Sequence, residues 1–172
     1  MPEALQNNFV DERPQGHAGI VRIRQKVCFS LSSDPISTAT ITGALRTEPD
    51  EFSVRGSRQS VPPRPVQHSW KLCCSTAGLT VDDQIDHVVR RLRPLAEQIR
   101  ELIADAPIEA VLQIVRDFDA EDGEEENLRV SDGDMLRPLA GQHQLLGWHL
   151  SAETLSFLAH LGADIDCDEY GA

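Results

Sequence analysis

The sequence predicts an α+β fold in which helices pack on one face of a mixed β-sheet, and three observations carry that expectation. Several segments alternate apolar and polar residues with the period of a half-buried strand. One long segment repeats apolar residues every three or four positions, the signature of an amphipathic helix. The elements follow one another as β-α-β-β-α-β-β-α-β, and helices separated by pairs of strands do not build a purely parallel doubly wound sheet. The 172 residues, 40% hydrophobic and 26% charged, suit one domain and are short for two.

Residues 1–20 are polar and aperiodic, with Pro14, Gly16 and Gly19, and read as a flexible N-terminal arm ahead of a single domain over 21–172. The first strand runs from Val21 to Ser32. Val21, Ile23, Val27, Phe29 and Leu31 alternate there with Arg22, Arg24, Lys26, Ser30 and Ser32, which gives the strand a basic outer face. Asp34-Pro35 is expected to open a short helix over Ile36–Leu45, which Pro49 stops. Phe52 and Val54 suggest a small strand, and the aperiodic, three-proline stretch Arg55–Pro65 an exposed basic loop. Alternation resumes over Val66–Cys74 around Trp70 and Leu72.

The clearest element spans Val81–Ala104, where Ile85, Val88, Val89, Leu92, Leu95, Ile99, Leu102 and Ile103 form one apolar stripe. Thr80 and Asp83 resemble a shortened capping box, and Pro94 must kink the helix because it removes a hydrogen bond to the Arg90 carbonyl. Glu109–Phe118 reads as a strand, 119–134 as an acidic loop, and Gln144–Leu150 as a strand carrying Trp148. Ser151 is expected to cap a helix over Ala152–Leu161, which Gly162 ends before a terminal strand over Ala163–Tyr170.

Charge is uneven. Residues 1–80 carry nine basic and seven acidic side chains, a net of +2, whereas 81–172 carry seven and 21, a net of −14. A total of −12 argues against gripping nucleic-acid phosphates and leaves open an acidic binding face for a basic protein partner. No apolar run reaches the roughly 18 residues of a membrane helix, and the N-terminus lacks signal-peptide character, so a soluble cytoplasmic protein is expected. Cys28, Cys73, Cys74 and Cys167 are too few and too irregular for a disulfide framework and are expected to be reduced.

Several segments together resemble a known family. They are Ile41-Thr42-x-x-Leu45 with Pro49, Trp70-Lys71-Leu72, the long Leu-rich helix, and the stretch from Leu150-Ser151-x-Glu153-x-Leu155 through Leu161-Gly162-Ala163-x-Ile165 to Tyr170. From about Val21 onward they are similar to the bacterial domain-of-unknown-function family numbered 4279, DUF4279. That family ends its first helix with glycine where this chain has Arg46. The resemblance implies an α+β fold and a bacterial source, and no catalytic residues that could be carried over.

The residues offer few chemical constellations. Asp164, Asp166 and Asp168 share one strand face, but same-face neighbours lie about 7 Å apart, too far for all three to hold one cation. They are expected to form a solvated strand face, or to pair with Arg22, Arg24 and Lys26 on a neighbouring strand. The acidic run after Asp117 has Asp122 and Leu128 where a calcium loop needs Gly and Glu. Cys73 and Cys74 point to opposite faces of a strand and no C-x-x-C pair exists, so no zinc site is expected and both read as small core residues. Cys74, His68 and His149 are scattered as potential nucleophile and base, and no phosphate-binding or nucleophile-elbow string occurs.

Two function classes remain. The first is a non-catalytic acidic interaction module that meets its partner through Glu124, Glu125 and Glu126, with a toxin-neutralising immunity protein as one concrete form. The second is a small-ligand binder or enzyme with a pocket against the sheet, lined by Trp70, Trp148, His149, Arg55 and Arg58. Neither calls for a cofactor.

Overall fold

Strand β1, Arg22–Ser33, lies at the centre of the sheet and takes partners on both sides. The structure is a computed structural model that describes residues 22–59, 63–77, 79–118, 123–125 and 147–171. The N-terminal arm, most of the acidic loop and Glu126 therefore lie outside the described residues.

After β1 come α1 (Thr38–Leu45), β2 (Glu51–Ser53), β3 (His68–Cys74), α2 (Val81–Leu92), α3 (Ala96–Asp105), β4 (Glu109–Phe118), β5 (Glu124–Glu125), α4 (Ala152–Leu161) and β6 (Asp164–Tyr170). The sheet order is β2-β3-β1-β4-β6, with β5 added beside β1. All pairings are antiparallel except β4 with β6, which run parallel with α4 in the connection. The sheet is mixed and the class is α+β, as expected.

Local chemistry explains the element ends. Ser37 caps α1, its Oγ accepting the Thr40 N–H at 3.2 Å, so the helix starts later than Asp34-Pro35 suggests. Arg46 closes α1 with φ 52°, taking the left-handed conformation that glycine adopts at lowest cost. Thr80 caps α2 by accepting the Asp83 N–H at 3.1 Å, and its hydroxyl donates to the Asp83 carboxylate at 2.8 Å. Pro94 breaks the long helix as expected, with one 3-10 turn over Arg93–Leu95 between α2 and α3. Ser151 and Gly162 (φ 68°) bound α4 at the expected residues.

Alternation sorts the strands into two faces. Val27, Phe29 and Leu31 of β1, Trp70, Leu72 and Cys74 of β3, and Ala110, Leu112 and Ile114 of β4 point to one face and are buried. There they meet Ile41 and Leu45 of α1, Ile85, Val88, Val89 and Leu92 of α2, Ile99 of α3, and Leu158 and Leu161 of α4. Trp70 is completely buried at the centre of this cluster. Truncating such a side chain to Ala costs about 3–5 kcal/mol.

Four expectations are corrected. Residues 147–150 are not a strand; Trp148 and Leu150 reach the core from an irregular segment, and among the described residues the strand before β6 is the short β5, paired with Arg22 and Ile23. Asp164, Asp166 and Asp168 do not neighbour β1, because β6 pairs with β4; Arg24 instead meets Asp117 at 2.8 Å and Lys26 meets Glu51. Cys28 and Cys73 are not reduced but joined in a disulfide. Cys73 is also no core residue, since it faces away from the helices while Cys74 faces them. No helix among the described residues is long and apolar enough to cross a membrane.

Candidate functional site

The face of the sheet turned away from the helices carries the chemistry-bearing side chains of β1, β2 and β3. Residues 28 and 73 stand directly opposite in the β1–β3 register, with Cα atoms 4.1 Å apart, which lets their side chains meet. Antiparallel pairing of β2 with β3 brings Glu51 opposite Lys71 on the same face. Lys26 reaches across to pair with the Glu51 carboxylate. The Cys28 and Cys73 sulfurs and a Glu51 oxygen all lie within 4.8 Å of one another, the one such convergence of three metal-ligating atoms among the described residues.

Cys73 is fixed through its backbone as well. Its N–H donates to Asp50 Oδ2 at 2.7 Å, and its carbonyl accepts from Arg91 of α2 at 3.2 Å. Arg91 grips the same Asp50 carboxylate through two bonds of 2.6 and 2.9 Å. This guanidinium holds the Asp50 carboxyl below its ordinary value, and the carboxylate in turn raises the Arg91 value.

Farther along the sheet, β6 forms an edge among the described strands. Asp164, Asp166 and Asp168 lie on one face of it, opposite Val111, Gln113 and Val115 of β4. Asp168 accepts a bond from Gln113 at 3.3 Å, whereas the carboxylates of Asp164 and Asp166 have no partner among the described residues. The three do not converge as a cation site. Arg116 ties this edge down from the opposite face: it is 1% exposed, donates to Glu169 at 2.7 Å and stacks 4.8 Å over Phe118. Cys167 is an exposed free thiol on this strand, and partial desolvation first and the Glu169 charge second push its thiol up.

A shallow groove of about 350 Å³ runs between α2 and the start of α4, lined by Asp82, Asp86, Arg90, Arg93, His149 and Glu153 among others. Asp82 accepts the His149 N–H at 2.8 Å and faces its Nδ1 at 3.2 Å. Arg93 pairs with Glu153 at 2.6 Å and lies over the Phe157 ring at 5.2 Å.

Of the residues expected to line a pocket, His149 alone lines this groove. Trp70 is sealed in the core and Trp148 packs half-buried against it. Arg55 is exposed and donates to the Asp34 carbonyl at 3.4 Å, and Arg58 is exposed in the same loop. Cys74 and His68 stand at opposite ends of β3, about 20 Å apart, and form no catalytic pair. The backbones of Glu124 and Glu125 pair with β1, and Glu126 lies outside the described residues.

Sequence reasoning missed Glu51, Asp50, Arg91 and Arg116. A signal for the cysteine pair was present: Cys28 shares its alternation with Lys26, Ser30 and Ser32, and Cys73 shares its own with Lys71. Two cysteines on the polar faces of two strands are badly placed to be core residues.

The model of a domain of unknown function, DUF4279, matches residues 23–172. No curated protein and no solved structure matches the chain. The matched span begins at Ile23 in β1 and takes in every later element from α1 to β6: the chain belongs to the DUF4279 family.

Proposed function

We propose that this chain is a non-catalytic interaction module that receives a basic protein partner on its acidic β6 edge. The observation that carries the reading is a seven-residue edge strand whose Asp164 and Asp166 carboxylates are exposed and unpartnered among the described residues. An edge strand offers unpaired backbone groups to an added strand, and its carboxylates favour a cationic one. The −14 charge of residues 81–172 adds a field that speeds capture of such a partner. A toxin-neutralising immunity protein is the concrete version of this hypothesis, with the Glu124–Glu126 segment as a second acidic contact.

The test is capture of partners by the tagged full chain at low and high salt, beside a variant with Asp164→Asn, Asp166→Asn and Asp168→Asn. A stoichiometric basic protein that is retained at low salt, released at high salt and lost with the variant is the expected result. A partner held equally by both forms overturns the edge-strand reading. Replacing Glu124, Glu125 and Glu126 with Gln separates the second contact from the first.

The alternative, a small-ligand site, is supported by the groove beside His149 and Asp82. Its test is a metabolite screen followed by His149→Ala. A ligand whose affinity survives that change does not use the groove.

A further inference from the structure

We infer that the Cys28–Cys73 disulfide is the closed form of a metal site: once reduced, the two thiolates and the Glu51 carboxylate bind one soft divalent cation of the zinc class. Three features converge on this assignment. The two sulfurs and a Glu51 oxygen already lie within 4.8 Å of one another. Tetrahedral coordination with metal–sulfur distances of about 2.3 Å and metal–oxygen distances of about 2.0–2.2 Å puts neighbouring ligand atoms just under 4 Å apart. Small side-chain rotations therefore bring the set into register once the S–S bond is broken. The ligands also stand on three adjacent strands, β1, β3 and β2, whose ladder holds their backbones without the disulfide. The donor set, two thiolates and one carboxylate, is one that zinc accepts, with water or a substrate atom in the fourth position.

Opening the site needs a thiol reductant, and the chemistry is ordinary exchange with a dithiol. Cys73 is half-buried and Cys28 only 4% exposed, so the attacking thiolate meets the Cys73 sulfur. A bond forms between the reductant and Cys73, the S–S bond breaks, and its electron pair leaves on Cys28. The second thiol of the reductant then displaces Cys73 and departs as the reductant's own disulfide. The two protein thiols give up two protons to solvent as the cation binds.

Lys26 makes the site conditional. In the oxidised protein its ammonium pairs with Glu51. An incoming cation must displace it, so Lys26 competes with the metal for the carboxylate.

The experiment uses the full chain with Cys74→Ala and Cys167→Ser, which leaves the two site thiols alone. Phosphine-reduced and oxidised samples are titrated anaerobically with cadmium ion, following the ultraviolet thiolate-to-cadmium band. One equivalent bound by the reduced sample and none by the oxidised sample is the expected result. Glu51→Gln, at a half-exposed side chain that does not disturb the crosslink, weakens binding by at least the roughly tenfold that an outer-shell change costs. Lys26→Gln tightens it. A reduced sample that binds no cadmium, or one whose affinity is unchanged by Glu51→Gln, overturns the assignment and leaves a structural crosslink only.

Discussion

On the face of the sheet that the helices leave, Lys26 and Arg24 of β1 sit in ion pairs with Glu51 and Asp117, and a disulfide ties β1 to β3. Two strands away, the Asp164 and Asp166 carboxylates of β6 have no partner among the described residues. The first region uses its charges to hold strands together. The second keeps like charges side by side at an edge of the described sheet, where the proposed basic partner would meet them. The contrast between the two regions is open to attack from either side.

The largest effect expected comes from opening the crosslink. With the two cysteines 45 positions apart in sequence, the loop-entropy relation gives a loss of about 4 kcal/mol in unfolding free energy. Urea unfolding of oxidised and reduced protein measures it, and coincident curves would show that the ion pairs hold this region without the disulfide.

Asp50→Asn tests the next support. It removes the bidentate pair with Arg91 and weakens the hold on the Cys73 amide. Both partners are about a third exposed, so after allowance for solvent screening the loss is about 1 kcal/mol. The sign with pH follows from the depressed carboxyl. Its contribution is complete above the ordinary Asp value of 3.8 and is lost as pH falls through the lower folded value. Melting temperature should thus fall less steeply in acid for Asp50→Asn than for the parent; parallel slopes would remove the ion pair from the account.

A smaller gain is expected at Arg46. Replacing it with glycine relieves the left-handed φ of 52° and should stabilise by about 0.5 kcal/mol, seen as a rise in the urea midpoint. The smallest effect on folding belongs to the acidic edge. Neutralising Asp164, Asp166 and Asp168 should move stability by no more than about 0.5 kcal/mol. A large loss would mean that these carboxylates serve the fold after all, and the contrast between the two regions would collapse.

What was legible in the sequence is what local chemistry decides. The expected bounds of β4 match those observed, because Ala110, Leu112 and Ile114 alternate strictly and polar or partly exposed residues separate them. The bounds of α4 match because Ser151 and Gly162 supply a hydroxyl acceptor and a left-handed cap. The break at Pro94 needs only the missing N–H. Strand neighbours and register are long-range choices, and there the reading failed. Alternation shows that Cys28 and Asp164 each lie on a strand face, but not that Cys73 stands opposite the first and Val111 opposite the second. The segment around Trp148 misled for a related reason: burial of Trp148 and Leu150 imitates a strand pattern although residues 147–150 join no ladder. The groove residue Asp82, 67 positions from His149, was out of reach on the same grounds.

The two hydrogen bonds on the Cys73 peptide give the molecule a built-in reporter. One sheet residue is bonded by its amide to a loop carboxylate and by its carbonyl to a helix guanidinium, while its side chain closes the crosslink. Solvent exchange of that single amide proton therefore reads the crosslink, the ion pair and the docking of α2 together. Loosening any of the three should speed it, even where bulk helicity and melting temperature stay still.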